Sequence, residues 1–356
     1  MKPLGVSVVV CCHNGAKRLP QTLAYLSMQQ VVGNLSWEVI VVDNASTDKT
    51  SQIASASWPD NAPCPLRVVC EPRLGLSYAR QHGFAESNFE VVSFIDDDNW
   101  VCADWIQFVS EIMSQHPAIG ACGGYSEAVS EIEVPQWFDR YKESYAIGTQ
   151  GEQAGDITWT RGYLWGAGLS IRKLAWEGLI QKGFRPLLMG RQGTRLTSGE
   201  DCELCFALRL AGWRLWYDPR LRLQHFIPAH RLEWNELRRR RRGSGAASVE
   251  CDAYLVGIDN KNHGLKALWR KRSWQWQVFL TLLSLFYSLS RLFLSLLLLL
   301  LLHNAFGRDL RVAQEILNVE SKGARLLGLL KKYRVYQSNM LAVWNASWRQ
   351  AVNRSA

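Results

Sequence analysis

Residues 91–100 read VVSFIDDDNW, an apolar run that leads directly into three consecutive aspartates, Asp96 to Asp98. A short, almost continuously apolar run with β-branched residues is typical of a strand that is covered on both faces of a sheet. Three adjacent carboxylates repel one another unless a cation joins them. The stretch therefore predicts a buried strand whose carboxyl end carries a cation-binding acidic site.

Three strand-and-helix pairs precede this stretch. Each has a β-branched apolar run, a polar turn and a segment with helical spacing of its apolar residues. The predicted strands are 6–11, 37–42 and 66–70, and the predicted helices are 17–30, 46–56 and 76–86. Buried strands that alternate with helices predict an α/β fold, in which helices cover both faces of a Rossmann-like, mainly parallel sheet.

Asp43 also follows a predicted strand directly, as Asp96 does. Open α/β sheets bind their ligands at the carboxyl ends of the strands, so both aspartates are predicted to face one crevice. The alternative for Asp43 is that it only begins a turn, which aspartate does commonly.

Glu200 and Asp201 precede a periodic helix that ends at Gly212. Asp201 is predicted in the first turn, where the helix N–H groups favour its ionised form. Both acids are also common as simple helix-start residues. A turn is predicted at Asp218 and Pro219, and His225 ends the strand that follows; a lone histidine is more often structural than a ligand.

Trp165 lies in an aromatic, glycine-rich stretch between Trp159 and Gly168. Aromatic faces stack on the C–H surfaces of sugars, and glycines permit close approach, so this stretch is a candidate sugar-binding wall. Aromatic residues of an ordinary core would give the same pattern.

The chain has 41 lysines and arginines against 32 aspartates and glutamates, a net charge of +9. Much of the excess lies late, in 238–242, 270–272 and 331–332, a distribution that suits anionic lipid. No zinc-finger, RNA-recognition or helix-turn-helix signature accompanies the arginines, so we predict no nucleic-acid partner. Nine cysteines without a disulfide framework indicate a reducing compartment.

Residues 278–302 form an apolar run with one charge, Arg291. A helix of 25 residues spans about 37 Å, which is enough to cross a bilayer core. Basic residues flank both sides, so a single span and a re-entrant anchor both remain open, as does a buried helix of a soluble domain.

These features divide the chain into four segments: a catalytic domain, a basic juxtamembrane segment, a transmembrane or re-entrant helix, and amphipathic C-terminal helices expected on the membrane surface. Their predicted bounds are 1–230, 231–272, 273–303 and 304–356.

Four stretches, in this order, resemble the family-2 glycosyltransferases of the GT-A fold. They are VSVVVCCHNGAKRL (6–19), VVDNASTDKT (41–50), FIDDDNW (94–100) and SGEDCELCFALRLAGWRLWYDPRLRLQH (198–225). The last stretch is the most distinctive, and it also resembles the cyanobacterial hormogonium-polysaccharide glycosyltransferases.

The resemblance implies a role for each matching position. The nucleotide base is expected near Cys12, His13, Asn14 and Asp43; the diphosphate near Arg73 and Arg80; the ribose near Asp96; and further substrate contacts at Asp97, Trp165 and Glu200. The implied metal ligands are Asp98 and His225, and the implied catalytic base is Asp201. The family usually has Pro-Thr-Tyr-Asn where this chain has Cys-Cys-His-Asn at 11–14, which leaves the nucleotide open.

The expected function is that of an inverting glycosyltransferase that moves a sugar from a nucleotide sugar to a glycan or lipid-linked acceptor. Its cofactor would be Mg²⁺ or Mn²⁺, with an imidazole ligand favouring Mn²⁺. Nucleotide sugars and reduced cysteines place the catalytic domain on the cytoplasmic side of the plasma membrane, in contact with membrane lipid. A non-catalytic nucleotide-sugar-binding membrane protein is the alternative. A processive synthase would require several spans and a Q-x-x-R-W motif, which the sequence lacks.

Overall fold

The apolar strands of the N-terminal part pair side by side in the computed structural model, which describes residues 4–188, 190, 199–258, 273–301 and 308–350. Four strands are parallel, in the order β3-β2-β1-β4. Their bounds are Val6–Cys12 (β1), Trp37–Asn44 (β2), Leu66–Glu71 (β3) and Val91–Asp96 (β4). β1, β2 and the first five residues of β4 are almost wholly buried, as their apolar composition predicts.

The sheet continues beyond β4 as a mixed sheet, in the order β4-β8-β6-β9-β5, with β7 also paired to β9. β6 and β9 are parallel, whereas the other pairs in this half are antiparallel. The bounds are Asn99–Val101 (β5), Ile119–Ser130 (β6), Gly155–Asp156 (β7), Ser170–Arg172 (β8) and Arg214–Ile227 (β9). The parallel half is as predicted; the mixed half follows less regular sequence.

Helices cover both faces of the sheet. One core contains Leu23 and Trp105, from α1 and α4; the other contains Phe84, Trp176 and Leu208, from α3, α6 and α7. The helix bounds are Leu19–Ser27 (α1), Thr50–Ala56 (α2), Leu76–Glu86 (α3), Trp105–Gln115 (α4), Phe138–Tyr141 (α5), Lys173–Gln181 (α6) and Glu200–Leu210 (α7). The α/β layering that the sequence predicts is therefore present.

The parallel register brings the predicted strand-end acids to one level. Cys12 on β1 pairs with Asp43 on β2, and Cys11 pairs with Asp96 on β4. Because side chains alternate between the two faces of a strand, neighbouring positions at this edge point in different directions. The carboxyl ends of β1, β2 and β4 therefore lie side by side, but the side chains at these ends do not all point to the same face of the sheet.

The predicted turn at Asp218 and Pro219 is wrong. β9 is one long strand that stays parallel to β6, and the chain does not fold back. The register shifts between the pairs Gly123–Tyr217 and Tyr125–Arg222, so β9 bulges at these positions. Asp218 is buried and accepts the backbone N–H of Arg220 at 2.9 Å, which satisfies polar groups that the bulge releases from the ladder.

Among the described residues, four helices follow the sheet. They are Trp234–Ile258 (α8), Trp274–Leu301 (α9), Arg308–Lys331 (α10) and Tyr333–Trp344 (α11). Gly243, Ser244 and Gly245 follow a run of arginines, and although such residues commonly break helices, α8 runs through them. A Cβ at Gly245 would lie 2.1 Å from the carbonyl oxygen of Ser321, so the glycine allows α8 and α10 to pack closely.

The predicted apolar segment is helical over most of its length. Within the part of the chain that the structure describes, Trp274–Leu297 is the one helix long and apolar enough to cross a membrane, with a mean hydropathy of 1.7. Residues 259–272, which carry the second part of the predicted juxtamembrane segment, and residues 302–307 lie outside the described residues.

Candidate active site

A cavity of about 420 Å³ opens at the carboxyl ends of β1 and β4. Its walls come from strand ends, from the first turn of α7, and from the segment around Tyr145. Ten of the predicted site residues line it: Cys12, His13, Arg80, Asp96, Asp97, Asp98, Trp165, Glu200, Asp201 and His225. Residues that lie more than a hundred positions apart in the sequence therefore share one space.

The three aspartates after β4 have different surroundings, and the one at position 97 is held by protein groups. Arg18 donates to both carboxylate oxygens of Asp97, at 2.7 and 3.2 Å, and the Cys12 thiol donates at 3.1 Å. Burial and this carboxylate raise the pKa of Cys12, so the thiol stays protonated and acts as a donor. Asp97 therefore fixes the loop after β1 against the strand end.

Asp98 lies between one residue of β9 and one residue that follows this strand. Arg231 donates to its Oδ2 at 2.8 Å, and His225 Nε2 lies 3.6 Å from its Oδ1. The other ring nitrogen of His225, Nδ1, is buried without a hydrogen-bond partner among the described residues. β5 pairs with β9 in a register that sets Asn99 opposite His225, which explains how the acid and the histidine meet.

Arg80 is the buried cation at the centre of the cavity wall. Its guanidinium lies 3.5 Å from Glu200 and 5.5 Å from the centre of the Phe94 ring. The acidic charges that act on it come from Glu200, Asp96 and Asp201. Arg80 thus connects α3 with the first turn of α7 and with the end of β4.

The Asp201 carboxylate is held by two backbone N–H groups. Gly166 donates to Oδ2 at 2.9 Å, and Cys202 donates to Oδ1 at 2.8 Å. Gly199 precedes α7 with φ of +106°, a conformation that glycine adopts readily and that turns the chain into the helix. The first turn of α7 therefore presents Asp201 to the cavity with a fixed orientation.

Three predicted site residues do not line the cavity. Asp43 accepts from Ser51 Oγ and from the Ser46 N–H at 3.2 Å, and Asn14 accepts from the Thr47 N–H at 2.8 Å, so both side chains tie together the loops after β1 and β2. Arg73 forms an ion pair with Glu71 at 2.9 Å. Their predicted contacts with base and diphosphate stay predictions.

Several lining residues were not predicted from the sequence, among them Arg18, Tyr145, Arg231 and Arg240. Tyr145 donates to the Arg231 carbonyl at 2.9 Å, and Arg240 lies 4.7 Å from the centre of the Tyr145 ring. Two of the arginines belong to the basic stretch interpreted as lipid-facing. The spacing of these two arginines in the sequence does not indicate a cavity. Arg18 belongs to the first of the four quoted stretches, and its position there is a signal from which a site residue could be predicted.

Trp165, predicted for the sugar-binding wall, is 7 % exposed and lines the cavity. Its backbone N–H donates to Gln150 at 2.7 Å, and the Arg161 guanidinium stacks on its ring at 4.5 Å. The hydrogen bond fixes the backbone of Trp165, the Arg161 guanidinium covers its ring, and little of the side chain is exposed.

The comparison with protein families agrees with this geometry. Residues 7–177 match the model of the family described as "Glycosyl transferase family 2". This part of the chain is a family-2 glycosyltransferase domain. The predicted family is therefore confirmed, and the non-catalytic alternative is not favoured.

Several curated proteins are similar to this glycosyltransferase. The succinoglycan biosynthesis protein ExoM of Rhizobium meliloti is 25 % identical over 268 residues, which cover 75 % of this chain and 79 % of that protein. The uncharacterized glycosyltransferase EpsJ of Bacillus subtilis is 27 % identical over 129 residues, 36 % of each chain.

A solved structure with the same fold is that of residues 1–349 of S. aureus TarS in complex with UDP-GlcNAc. It has a TM-score of 0.50 and 16 % identity, and the match covers 94 % of this chain and 92 % of that chain. This likeness confirms the α/β fold predicted for the glycosyltransferase.

Proposed function

We propose that the chain transfers a sugar from a nucleoside diphosphate sugar to a hydroxyl group of a glycan or lipid-linked acceptor in polysaccharide biosynthesis, with inversion at the anomeric carbon. The observation that carries this proposal is that Asp98 and Asp201 line one cavity, each with a different set of partners. The name of ExoM, a succinoglycan biosynthesis protein, and the UDP-GlcNAc bound to TarS agree with such a reaction.

Asp201 is the proposed base. In a single displacement, the acceptor oxygen attacks the anomeric carbon, the acceptor proton passes to the Asp201 carboxylate, and the bond from sugar to diphosphate breaks. The N–H groups of Gly166 and Cys202 each donate to one oxygen of this carboxylate and so keep it in one orientation. A base held in this way is ready to accept a proton without reorganising.

Asp98 and His225 are the proposed protein ligands of a divalent cation. The residues fit such an ion, because Oδ1 of Asp98 and Nε2 of His225 lie 3.6 Å apart, and carboxylate oxygens and imidazole nitrogens both bind divalent cations in proteins. Among the described residues, no cluster of three or more acidic, histidine or cysteine side chains could hold a metal. Diphosphate oxygens and water would complete the coordination, as is usual for Mg²⁺ sites.

The charge balance of the cavity also favours a cation. Six carboxylates and four arginines line it, so the described walls carry two more negative than positive charges. A diphosphate would add further negative charge in a partly enclosed space. When bound, a divalent cation stabilises the charge that develops on the leaving diphosphate.

The arginines supply the remaining positive charge. Arg231 and Arg240 line the wall beside Asp98, and Arg80 lies on the side of Asp201. A diphosphate between these groups would receive charged hydrogen bonds, which are stronger than neutral ones. We assign Arg231 and Arg240 to diphosphate binding.

We propose that the reaction takes place at the cytoplasmic face of the plasma membrane. Nucleotide sugars are cytoplasmic, the nine cysteines of the described chain are free thiols, and α9 is apolar enough to associate with lipid.

A thermal-shift screen tests the proposed donor class. The purified full-length chain is mixed with UDP-, GDP- and dTDP-sugars, with and without Mn²⁺, and its melting temperature is measured. A ligand at about 100 times its Kd stabilises the folded state by about 2.7 kcal/mol. We expect one nucleotide class to raise the melting temperature, and more strongly with Mn²⁺; no shift with any nucleotide sugar would contradict the proposal.

A further inference from the structure

The long apolar helix α9 has one polar face, and this face contacts helix α10. Gln277 accepts from Arg325 at 3.0 Å, and Lys322 donates to the Ser288 hydroxyl at 2.6 Å. Arg291, the charge within the apolar run, pairs with the buried Glu315 at 2.8 Å. Helices α9 and α10 are antiparallel, and these contacts fix one side of α9 to α10 from position 277 to position 291.

Helix α10 is too highly charged to enter a bilayer beside α9. Eight of its 24 residues are Asp, Glu, Lys or Arg. Its other side is fixed to α8: Glu320 pairs with Arg238 and Arg242, and Arg325 pairs with Asp252. If α9 crossed the membrane in this arrangement, the charges of α10 would be carried into the hydrocarbon, where charged groups are costly.

The opposite face of α9 is apolar and exposed. Phe286 and Phe293 are 71 % and 70 % exposed, and they belong to a stripe at helical spacing. The exposed members are Phe279, Leu282, Leu283, Phe286, Leu289, Phe293, Leu294 and Leu297. From position 279 to position 297 the stripe is about 27 Å long.

The charge of the flanking sequence identifies what covers this stripe. Lys266, Arg270, Lys271 and Arg272 precede α9, and Arg308 and Arg311 follow it. An apolar stripe whose flanking sequence is basic on both sides matches an anionic membrane surface, because phenylalanines and leucines favour acyl chains and basic residues favour lipid phosphates. A second copy of this chain would bring like charges together.

We propose that α9 lies in the plane of the membrane and inserts its apolar stripe into one leaflet, without crossing the bilayer. Helix α10 then rests above it at the polar surface and connects it, through α8, to the catalytic domain. This inference extends the membrane association proposed above and does not depend on the sugar-transfer chemistry, because it uses contacts among α8, α9 and α10 alone.

Depth measurement on the full chain tests the orientation. An environment-sensitive fluorescent amino acid is placed singly at positions 279, 286 and 293, and its quenching by lipids labelled at different depths is measured. The vesicles contain phosphatidylethanolamine and phosphatidylglycerol. We expect all three probes at one shallow depth; a spanning helix would separate positions 279 and 293 by up to about 21 Å, and such a gradient would overturn the proposal.

Vesicle flotation tests whether lipid covers the apolar stripe of α9. The variant with Phe279→Glu, Phe286→Glu and Phe293→Glu should partition to vesicles on the order of 100-fold less than wild type. The matched control is Leu174→Glu, at a leucine of α6 that is 66 % exposed, and it should float normally. Unchanged flotation of the triple variant would refute the proposal, as would a wild-type chain that dimerises through this face and does not bind vesicles. Nucleotide-induced thermal shifts report separately on the catalytic domain.

Discussion

The backbone N–H of Gly166 donates to Oδ2 of Asp201 at 2.9 Å, and a side chain at position 166 would press against the guanidinium of Arg80. A Cβ there would lie 2.8 Å from Nη2 of Arg80 and 3.5 Å from the Cβ of Asp201. The glycine thus allows both Asp201 and Arg80 to lie close to the backbone at position 166. It connects the loop before β8 with the first turn of α7.

Gly166→Ala is therefore expected to lower turnover by about 10- to 100-fold, because it displaces Arg80 or Asp201 from the position that the reaction needs. Turnover of the donor and the melting temperature are measured for the same preparations. The control is Gly178→Ala in α6, where a Cβ meets nothing within 4 Å. It should keep full turnover and gain up to about 1 kcal/mol in stability. Wild-type turnover in Gly166→Ala would contradict this account of the loop.

Asp98→Ala should remove the effect of the cation on nucleotide binding. Calorimetric titration with the donor, with and without Mn²⁺, is expected to show tighter binding with Mn²⁺ for wild type and equal binding in both conditions for the variant. Asp139→Ala is a suitable control, since this carboxylate is 88 % exposed on α5. A variant that still responds to Mn²⁺ as wild type does would exclude Asp98 as a ligand.

Arg231→Gln should weaken binding of the diphosphate more than binding of the nucleoside. A charged hydrogen bond contributes about 1.5–3 kcal/mol, so the ratio of UDP to uridine affinity is expected to fall at least about tenfold. Should the screen identify another nucleotide, its diphosphate and nucleoside replace this pair. Arg222→Gln, at an exposed arginine of β9 paired with Glu127, should leave the ratio unchanged. Equal losses for both ligands would indicate that Arg231 only supports the fold.

Glu203 introduces a pH dependence of stability. It is 1 % exposed and accepts from the N–H groups of Leu187 and Leu188, and burial raises its pKa from 4.5 to about 7. Between these values the folded state holds a proton that the unfolded state has lost. Stability contributed by protonated Glu203 is therefore full below pH 4.5 and declines as the pH rises to about 7.

The decline amounts to about 3 kcal/mol at most, and denaturant titrations across this range measure it. Glu203→Gln should flatten the slope, even though the amide is a poorer partner for two N–H donors. Glu86→Gln, at a partly exposed carboxylate of α3, serves as the control and should keep the wild-type slope. Identical slopes for Glu203→Gln and wild type would rule out this origin of the pH dependence.

The parallel half of the sheet and much of the cavity could be predicted from sequence because their signals are local. The apolar run before Asp96 can only be a buried strand in this context, and strand ends of a parallel sheet share an edge. Asp43 shows the limit of that reasoning. It stands at the same edge, yet its carboxylate is used by Ser46 and Ser51, and no sequence pattern separates a loop-stabilising aspartate from a ligand-binding one.

The arginines after β9 show a second limit. A run of cations has the same sequence pattern whether it faces lipid, phosphate or carboxylates of the same chain. In the fold, Arg231 reaches Asp98, Arg240 reaches Tyr145, and Arg238 pairs with Glu320 of α10. These partners are 82 to 133 positions away in the sequence, so only the tertiary structure assigns each arginine.

The central claim is that Asp201 is the base of a sugar transfer whose donor is held elsewhere in the cavity. The most direct measurement is the rate at which wild type and Asp201→Asn transfer or hydrolyse the labelled nucleotide sugar identified by thermal shift, at saturating donor with Mn²⁺. We expect the variant to bind the donor with unchanged affinity and to turn it over about 10²- to 10⁴-fold more slowly. Equal rates for the two proteins would contradict the claim.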